Sequence, residues 1–190
     1  MHPDVATVMQ ELDAHRARFI VFCRALSQEE LETPVPGSEW QVRDFIAHLA
    51  TIDGPVAATF TAIQENRQGA DAGDGGARWD VDRWNQGKVE ERRGRSVNEL
   101  LTEAAEGRVH LRKVLAAFDQ ESLGRKLRFG GDSRRAAAEI EVLAYLRGWC
   151  KHDPMHVVDM LRGIPPRRTA IIEQWIDDPV IASYQAQMNP

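Results

Sequence analysis

The chain is poor in several features that would each commit it to a class. Cysteine is scarce: Cys23 and Cys150 are the two in 190 residues, both inside helical patterns, and they give no disulfide framework. No apolar stretch nears the roughly 18 uninterrupted residues of a membrane span. The start, Met-His-Pro-Asp, lacks the basic residues and apolar run of a secretory signal, so a reducing cytoplasm is the expected compartment. No basic excess exists to neutralise phosphates: the net charge is −5 and the pI about 5.7, which argues against a general nucleic-acid binder. Lysine is rare, 4 against 20 arginines, a bias associated with GC-rich bacterial genomes. What remains is 43% hydrophobic and 28% charged, ordinary for one globular domain able to bury a core.

The apolar period is 3.6 nearly throughout, with no convincing strand alternation. A first helix is expected from Asp4 to Leu26, followed by a short turn capped at Ser27-Gln-Glu-Glu-Leu and a break at Thr33-Pro-Val-Pro-Gly-Ser. The second begins near Ser38 or Glu39 and runs to about Glu65, on a stripe of Val42, Phe45, Ile46, Leu49, Ile52, Val56, Phe60 and Ile63. Pro55 lies within it as a candidate kink. The glycine-rich stretch from Asn66 to Gly76 reads as a long, mobile loop. Ser96-Val-Asn-Glu has the form of a capping box and opens a third helix to about Phe118. Residues 119 to 134 read as a connector with a turn at Gly130-Gly131-Asp132, where one short alternating run at Leu127 and Phe129 is not enough for a sheet. A fourth helix runs from about Arg135 to Leu161, stopped by Gly163 and Pro165-Pro166. A short helix is expected around Ile171 to Ile176. The fold class is all-α, a bundle of four main helices.

Six histidines are present. His2 and His15 read as surface residues, and His110, with no partner at helical spacing, as structural. His152 and His156 differ. Four apart on a helix, they project from one face with Cβ atoms about 6 Å apart, so both imidazoles reach one ion. The bland alternative is a pair of core-edge histidines satisfied by hydrogen bonds. His48 borders the apolar stripe of the second helix, where a side chain points into a crevice between helices or simply packs. Bundle metal sites are assembled from inward-facing side chains on adjacent helices, and three nitrogen ligands would leave coordination positions open.

Trp40-Gln-Val-Arg-Asp44-Phe-Ile-Ala-His48-Leu resembles the W-x-V-R-D-x-x-A-H-L signature of the second helix in the DinB-like superfamily. That group includes YfiT-like metal-dependent hydrolases, bacillithiol transferases and mycothiol-dependent maleylpyruvate isomerase domains. Val81-Asp82-Arg83-Trp84-Asn85 and the stretch from Glu90 to Ser96 resemble the loop entering the family's third helix. His152-Asp-Pro-Met-His156 stands where the family has its second and third ligands. The resemblance covers about residues 5 to 163. It implies an up-down-down-up bundle over residues 1–163, with residues 164–190 a C-terminal helical extension packed on it. It also implies one divalent ion, zinc or nickel, on His48, His152 and His156, and a homodimer. The implied chemistry is that of a metal-dependent thiol S-transferase, or a related isomerase or hydrolase, acting on small electrophiles. The cosubstrate would be a low-molecular-weight thiol, with the arginine bias favouring mycothiol over bacillithiol. The alternative is a non-catalytic metal- or ligand-binding stress or resistance protein.

Around the triad, Asp44, Asp153 and Asp159 are positioned to accept the second N–H of a ligating histidine, or are simply exposed charges. Trp79, Trp84 and Asn85 would line the mouth of the site or pack in the core. Cys150 reads as a small buried hydrophobe. Pro154 removes the N–H that would bond the carbonyl of Cys150. A kink there is expected, with the histidine pair still on one ion.

Overall fold

The computed structural model describes residues 1–65, 80–129 and 137–188. The expected loop over Asn66 to Gly76, Trp79 and the turn at Gly130-Gly131-Asp132 lie outside the described residues. Helix α1 is Pro3–Arg24, α2 is Gln28–Leu31, α3 is Val42–Thr51, α4 is Asp53–Gln64, α5 is Val81–Glu90, α6 is Val97–Ala116 and α7 is Gln120–Gly124. Strands β1 (Lys126–Phe129) and β2 (Ala138–Glu141) precede α8 (Val142–Trp149) and α9 (His152–Gly163). A 3₁₀ turn at Pro165–Arg167 leads to α10 (Ala170–Ile176) and α11 (Pro179–Met188). Four rods form an all-α bundle: α1, α3 with α4, α6, and α8 with α9.

Both capping boxes form. Ser27 Oγ accepts from Glu30 N while Glu30 Oε2 accepts from Ser27 N, 2.7 Å. Ser96 and Glu99 repeat the arrangement at the start of α6, each pair satisfying two otherwise orphaned amides.

Elsewhere the elements differ from the expectation, for local reasons. The second rod starts at Val42, because Pro34 and Gln41 form a β-bridge around a turn that needs Gly37 at φ 75°. It is also divided at Ile52: Pro55, with no N–H, cannot bond the carbonyl of Thr51, and the helix restarts at Asp53. Of the two pieces resembling a loop before the third helix, Val81-Asp82-Arg83-Trp84-Asn85 lies in the helix α5, capped by Asp80 Oδ1, which accepts from Asp82 N and Arg83 N, while the residues from Glu91 to Ser96 form a turn. Leu127 does belong to a strand, since the run Lys126–Phe129 finds an antiparallel partner in Ala138–Glu141. The fourth rod therefore begins at Val142 rather than near Arg135.

The fourth rod is interrupted at Cys150 and Lys151 rather than merely kinked. Pro154 becomes the third residue of α9, where helix N–H groups have no intrahelical partner and the missing donor costs little. Val42–Gln64 is the one stretch, among the described residues, long and apolar enough to match a membrane span, with mean hydropathy 1.2. Its role here is structural, as 56% of its most apolar window is buried in the bundle.

The core has two apolar layers. One joins Phe19, Phe22, Cys23, the face of α3, Leu100, Leu101, Ala104, the face of α9, and Trp175, Ile176 and Ile181. The other joins Val5, Val8, Leu12, the face of α4, Leu111, Leu115, Val142 and Leu146. Between them, at the level of both rod interruptions, lies a buried charged layer. Arg16 follows Leu12 by one turn, Arg108 precedes Leu111, Asp53 opens α4 and Asp153 is the second residue of α9. Arg108 Nε donates to Asp53 Oδ2 at 2.8 Å, and its Nη1 to the carbonyl of Leu12 at 2.7 Å. Arg16 reaches both aspartates. The two continuous helices thus supply the cations, and the two interrupted rods supply the anions.

Candidate metal centre

The interruption that forms the charged layer also sets the histidines. His48 stands five residues before Asp53 on α3, and His152 is the first residue of α9, beside Asp153. One nitrogen from each of His48, His152 and His156 lies within 4.8 Å of the others. The ring centroids are 4.6 Å apart for His152–His156, 4.9 Å for His48–His156 and 5.5 Å for His48–His152. His156 Nε2 and His152 Nε2 are 3.2 Å apart. That is close to the roughly 3.3 Å between two nitrogens about 2.0–2.1 Å from one tetrahedral ion.

Two of the three donors are held in the protonation state a metal requires. His48 is 3% exposed; its burial, and then the nearby His156, hold it neutral well below its ordinary pKa. Burial does the same to His152, reinforced by His156, His48, Arg16 and Arg108. Among the described residues, Nδ1 of His48 is buried without a hydrogen-bond partner, a costly condition for a polar atom.

Of the three candidate aspartates, Asp159 reaches a histidine. Its Oδ2 lies 2.9 Å from His156 Nδ1, which places the proton on Nδ1 and leaves Nε2 as a free donor atom. Tyr184 Oη donates to the same Oδ2 at 2.7 Å. Asp153 is buried, but it serves Arg16, taking Nε at 2.8 Å and Nη2 at 2.9 Å. Burial raises its pKa, and Arg16 and Arg108 more than offset this, so the carboxyl stays below the usual range. Asp44 caps its own helix by accepting from Gln41 N at 2.9 Å.

Aromatic rings frame the triad. Trp149 stacks on His152 with centroids 4.3 Å apart and planes 15° apart. Tyr145 continues the stack against Trp149. Trp40 lies 5.4 Å from His48, and Phe45 lies 5.7 Å from His156. Trp40 Nε1 donates to Gln86 Oε1 at 2.8 Å, which ties α5 to the rim of the site. Gln86 is thus the α5 residue bonded there, beside the expected Trp84 and Asn85. Trp84 is half-buried with Lys88 Nζ 6.0 Å above its ring, and Asn85 keeps a buried Oδ1 with no partner among the described residues.

Cys150 is buried and its Sγ donates to the carbonyl of Val8. Burial first, then Glu11, pushes its pKa up to about 12, so it is the inert small hydrophobe expected. His110 is exposed. His2 caps α1, accepting from Asp4 N, and pairs with Gln120. His15 is not a free surface residue, because Trp175 Nε1 donates to its Nδ1 at 2.8 Å. Sequence reasoning missed Arg16 and Arg108, although both interrupt apolar stripes at helical spacing. It also missed Tyr184, for which nothing in the local sequence is a signal.

A family model described as mycothiol maleylpyruvate isomerase N-terminal domain matches residues 12–160. No curated protein matches the chain. Among solved structures, a crystal structure of a histidine-to-alanine mutant of mycothiol-dependent maleylpyruvate isomerase matches with a TM-score of 0.59 at 8% identity, over 84% of this chain. The chain spans 63% of the length of that protein. At such low identity the likeness is one of fold.

Proposed function

The chain belongs to the mycothiol maleylpyruvate isomerase N-terminal domain family, of the DinB-like superfamily, and we propose that it is a divalent-metal enzyme joining a low-molecular-weight thiol to a small electrophile. The observation that carries this reading is the convergence of three imidazoles, two of them held neutral by burial and one with a buried nitrogen that has no partner among the described residues. The donor set fits zinc or nickel, which favour imidazole.

His48, His152 and His156 would hold the ion. When bound, it would act as a Lewis acid that lowers the pKa of a thiol or water brought to it. Asp159 holds the proton of His156 on Nδ1, so that Nε2 faces His152. Trp149 and Phe45 keep the imidazole faces out of water. Trp40, pinned by Gln86, shields His48 in the same way. The aromatic surround suits an apolar or conjugated electrophile, and neither cysteine competes as a nucleophile, since burial keeps both thiols protonated. Mycothiol is the thiol that the family's name supplies.

Elemental analysis of the purified protein tests the metal. Wild type should carry close to one zinc or nickel per chain, and His48→Ala and His156→Ala should carry little. Equally low content in all three would end the metal reading. Mycothiol with a bimane or chlorinated arene then tests the reaction. A rate unaffected by chelation and by His152→Ala would end the case for metal-dependent transfer, and no rate above that without protein would leave a binding protein.

A further inference from the structure

The family match ends at residue 160, yet the chain continues into α10 and α11, which lie against α9. These two helices are fixed by three kinds of contact. Trp175, Ile176 and Ile181 enter the same apolar layer as Val157, Val158, Met160 and Leu161 of α9. Trp175 is bonded to His15 on α1. Asp178, immediately before α11, takes Lys151 Nζ at 3.0 Å, and Lys151 also pairs with Glu11 of α1.

Lys151 is the residue before His152. Asp159 is three residues after His156. The segment that carries two of the three histidines is therefore held at both ends from the C-terminal helices: by Asp178 at its start and by Tyr184 beyond its end. Tyr184 Oη and His156 Nδ1 lie 2.7 and 2.9 Å from one oxygen, Asp159 Oδ2. A carboxylate oxygen can accept two hydrogen bonds. Two donors on one oxygen fix the torsion of the carboxyl group, and the carboxyl group in turn fixes the imidazole. Arg162 Nη1, 3.9 Å from Oδ1 on the other side, is too far to set that torsion.

We propose that α10 and α11 are a working part of the metal centre, with Tyr184 a positioning residue that sets His156 through Asp159. The inference rests on the metal reading above. Its consequence is that the family-matched residues alone do not complete the centre: the side chain that orients one ligand comes from outside them.

The test is the affinity of the full-length apoprotein for Co²⁺, followed by its visible absorption and by competition with a chelator, in wild type, Tyr184→Phe, Asp159→Asn and the double variant. Loss of a group that orients a ligating histidine weakens metal binding about 10–100-fold. Tyr184→Phe, which removes one oxygen and keeps the ring, should weaken Co²⁺ binding about 10-fold and leave the thermal midpoint of the apoprotein within a few degrees. Because Tyr184 acts through Asp159, the double variant should bind no worse than Asp159→Asn alone. Wild-type affinity in Tyr184→Phe, or two losses that add in full, overturns the proposal while the metal reading stands. Absence of Co²⁺ binding by wild type overturns both. Should Tyr184→Phe lower the thermal midpoint, unchanged Co²⁺ affinity would mark the helix pair as structural support only and likewise overturn the proposal.

Discussion

Arg16 and Asp153, 137 positions apart, meet in a two-pronged ion pair that joins the middle of α1 to the first turn of α9, with both side chains at or below 5% exposure. Removing one member of such a pair strands a charge in the interior, at a cost of about 3–5 kcal/mol. Arg16→Met should lose stability of that order by urea unfolding. Arg16→Met combined with Asp153→Leu should recover most of it, because two apolar groups then replace two charges and Arg108 still serves Asp53. A single variant within about 1 kcal/mol of wild type would show that the charged layer does not tie the rods together.

The same layer explains what the sequence could and could not convey. The stripes of Val42 to Ile63 and Val97 to Phe118 fix helices because a 3.6 period admits no other packing, and the two capping boxes mark starts that are set locally. Pro55 and Pro154 mark the rod interruptions at Ile52 and at Cys150–Lys151 locally, but that each is a restart and not a kink is not a local matter. Each restarts where an aspartate meets arginines from distant helices, and no window of sequence holds both partners. The hairpin was missed for a similar reason, since Lys126–Phe129 is a strand only because Ala138–Glu141 returns to pair with it. At the site, helical spacing brings His152 and His156 to one face, family resemblance adds His48, and Tyr184 is visible only in three dimensions.

Pro154 offers a direct check on the interruption. In a continuous helix, replacing it would restore a bond and relieve a clash, a gain of about 3 kcal/mol. At the third position of α9 its missing N–H is no loss, and the ring stiffens the unfolded chain. Pro154→Ala should therefore be neutral or destabilising by up to about 1 kcal/mol. Chemical denaturation would decide it: a gain above about 2 kcal/mol would mean that the proline strains a rod that wants to be continuous.

Acid should weaken the fold through the histidines. His48 and His152 have folded pKa values held well below their ordinary 6.5, first by burial. Above that value they are neutral in both states and stability does not depend on their titration. Below it the unfolded chain binds protons that the folded chain refuses. Stability then falls with pH, by at most about 1.4 kcal/mol per unit for each histidine. Urea midpoints of the apoprotein should be level from pH 8 to 7 and drop between 6.5 and 5. The drop should shrink in a His48→Gln variant. A profile as steep in that variant as in wild type would place the acid sensitivity elsewhere.

Trp149 should report on the proposed metal centre. Its ring lies flat against His152, 4.3 Å between centroids, closer than Trp40 lies to His48 at 5.4 Å. A change at the imidazole, whether an arriving ion or a proton, alters the polarity and quenching that this indole experiences. Titrating Ni²⁺ into the apoprotein should quench tryptophan emission in proportion to occupancy. The chain has five tryptophans, so assignment needs a variant: Trp149→Phe keeps an aromatic face on His152 and should remove most of the quench while Ni²⁺ still binds, as measured by calorimetry. If the variant quenches as wild type does, Trp149 is not the reporter and one of the other four tryptophans is. If quenching disappears together with binding, the stacked ring is part of what holds His152 in place.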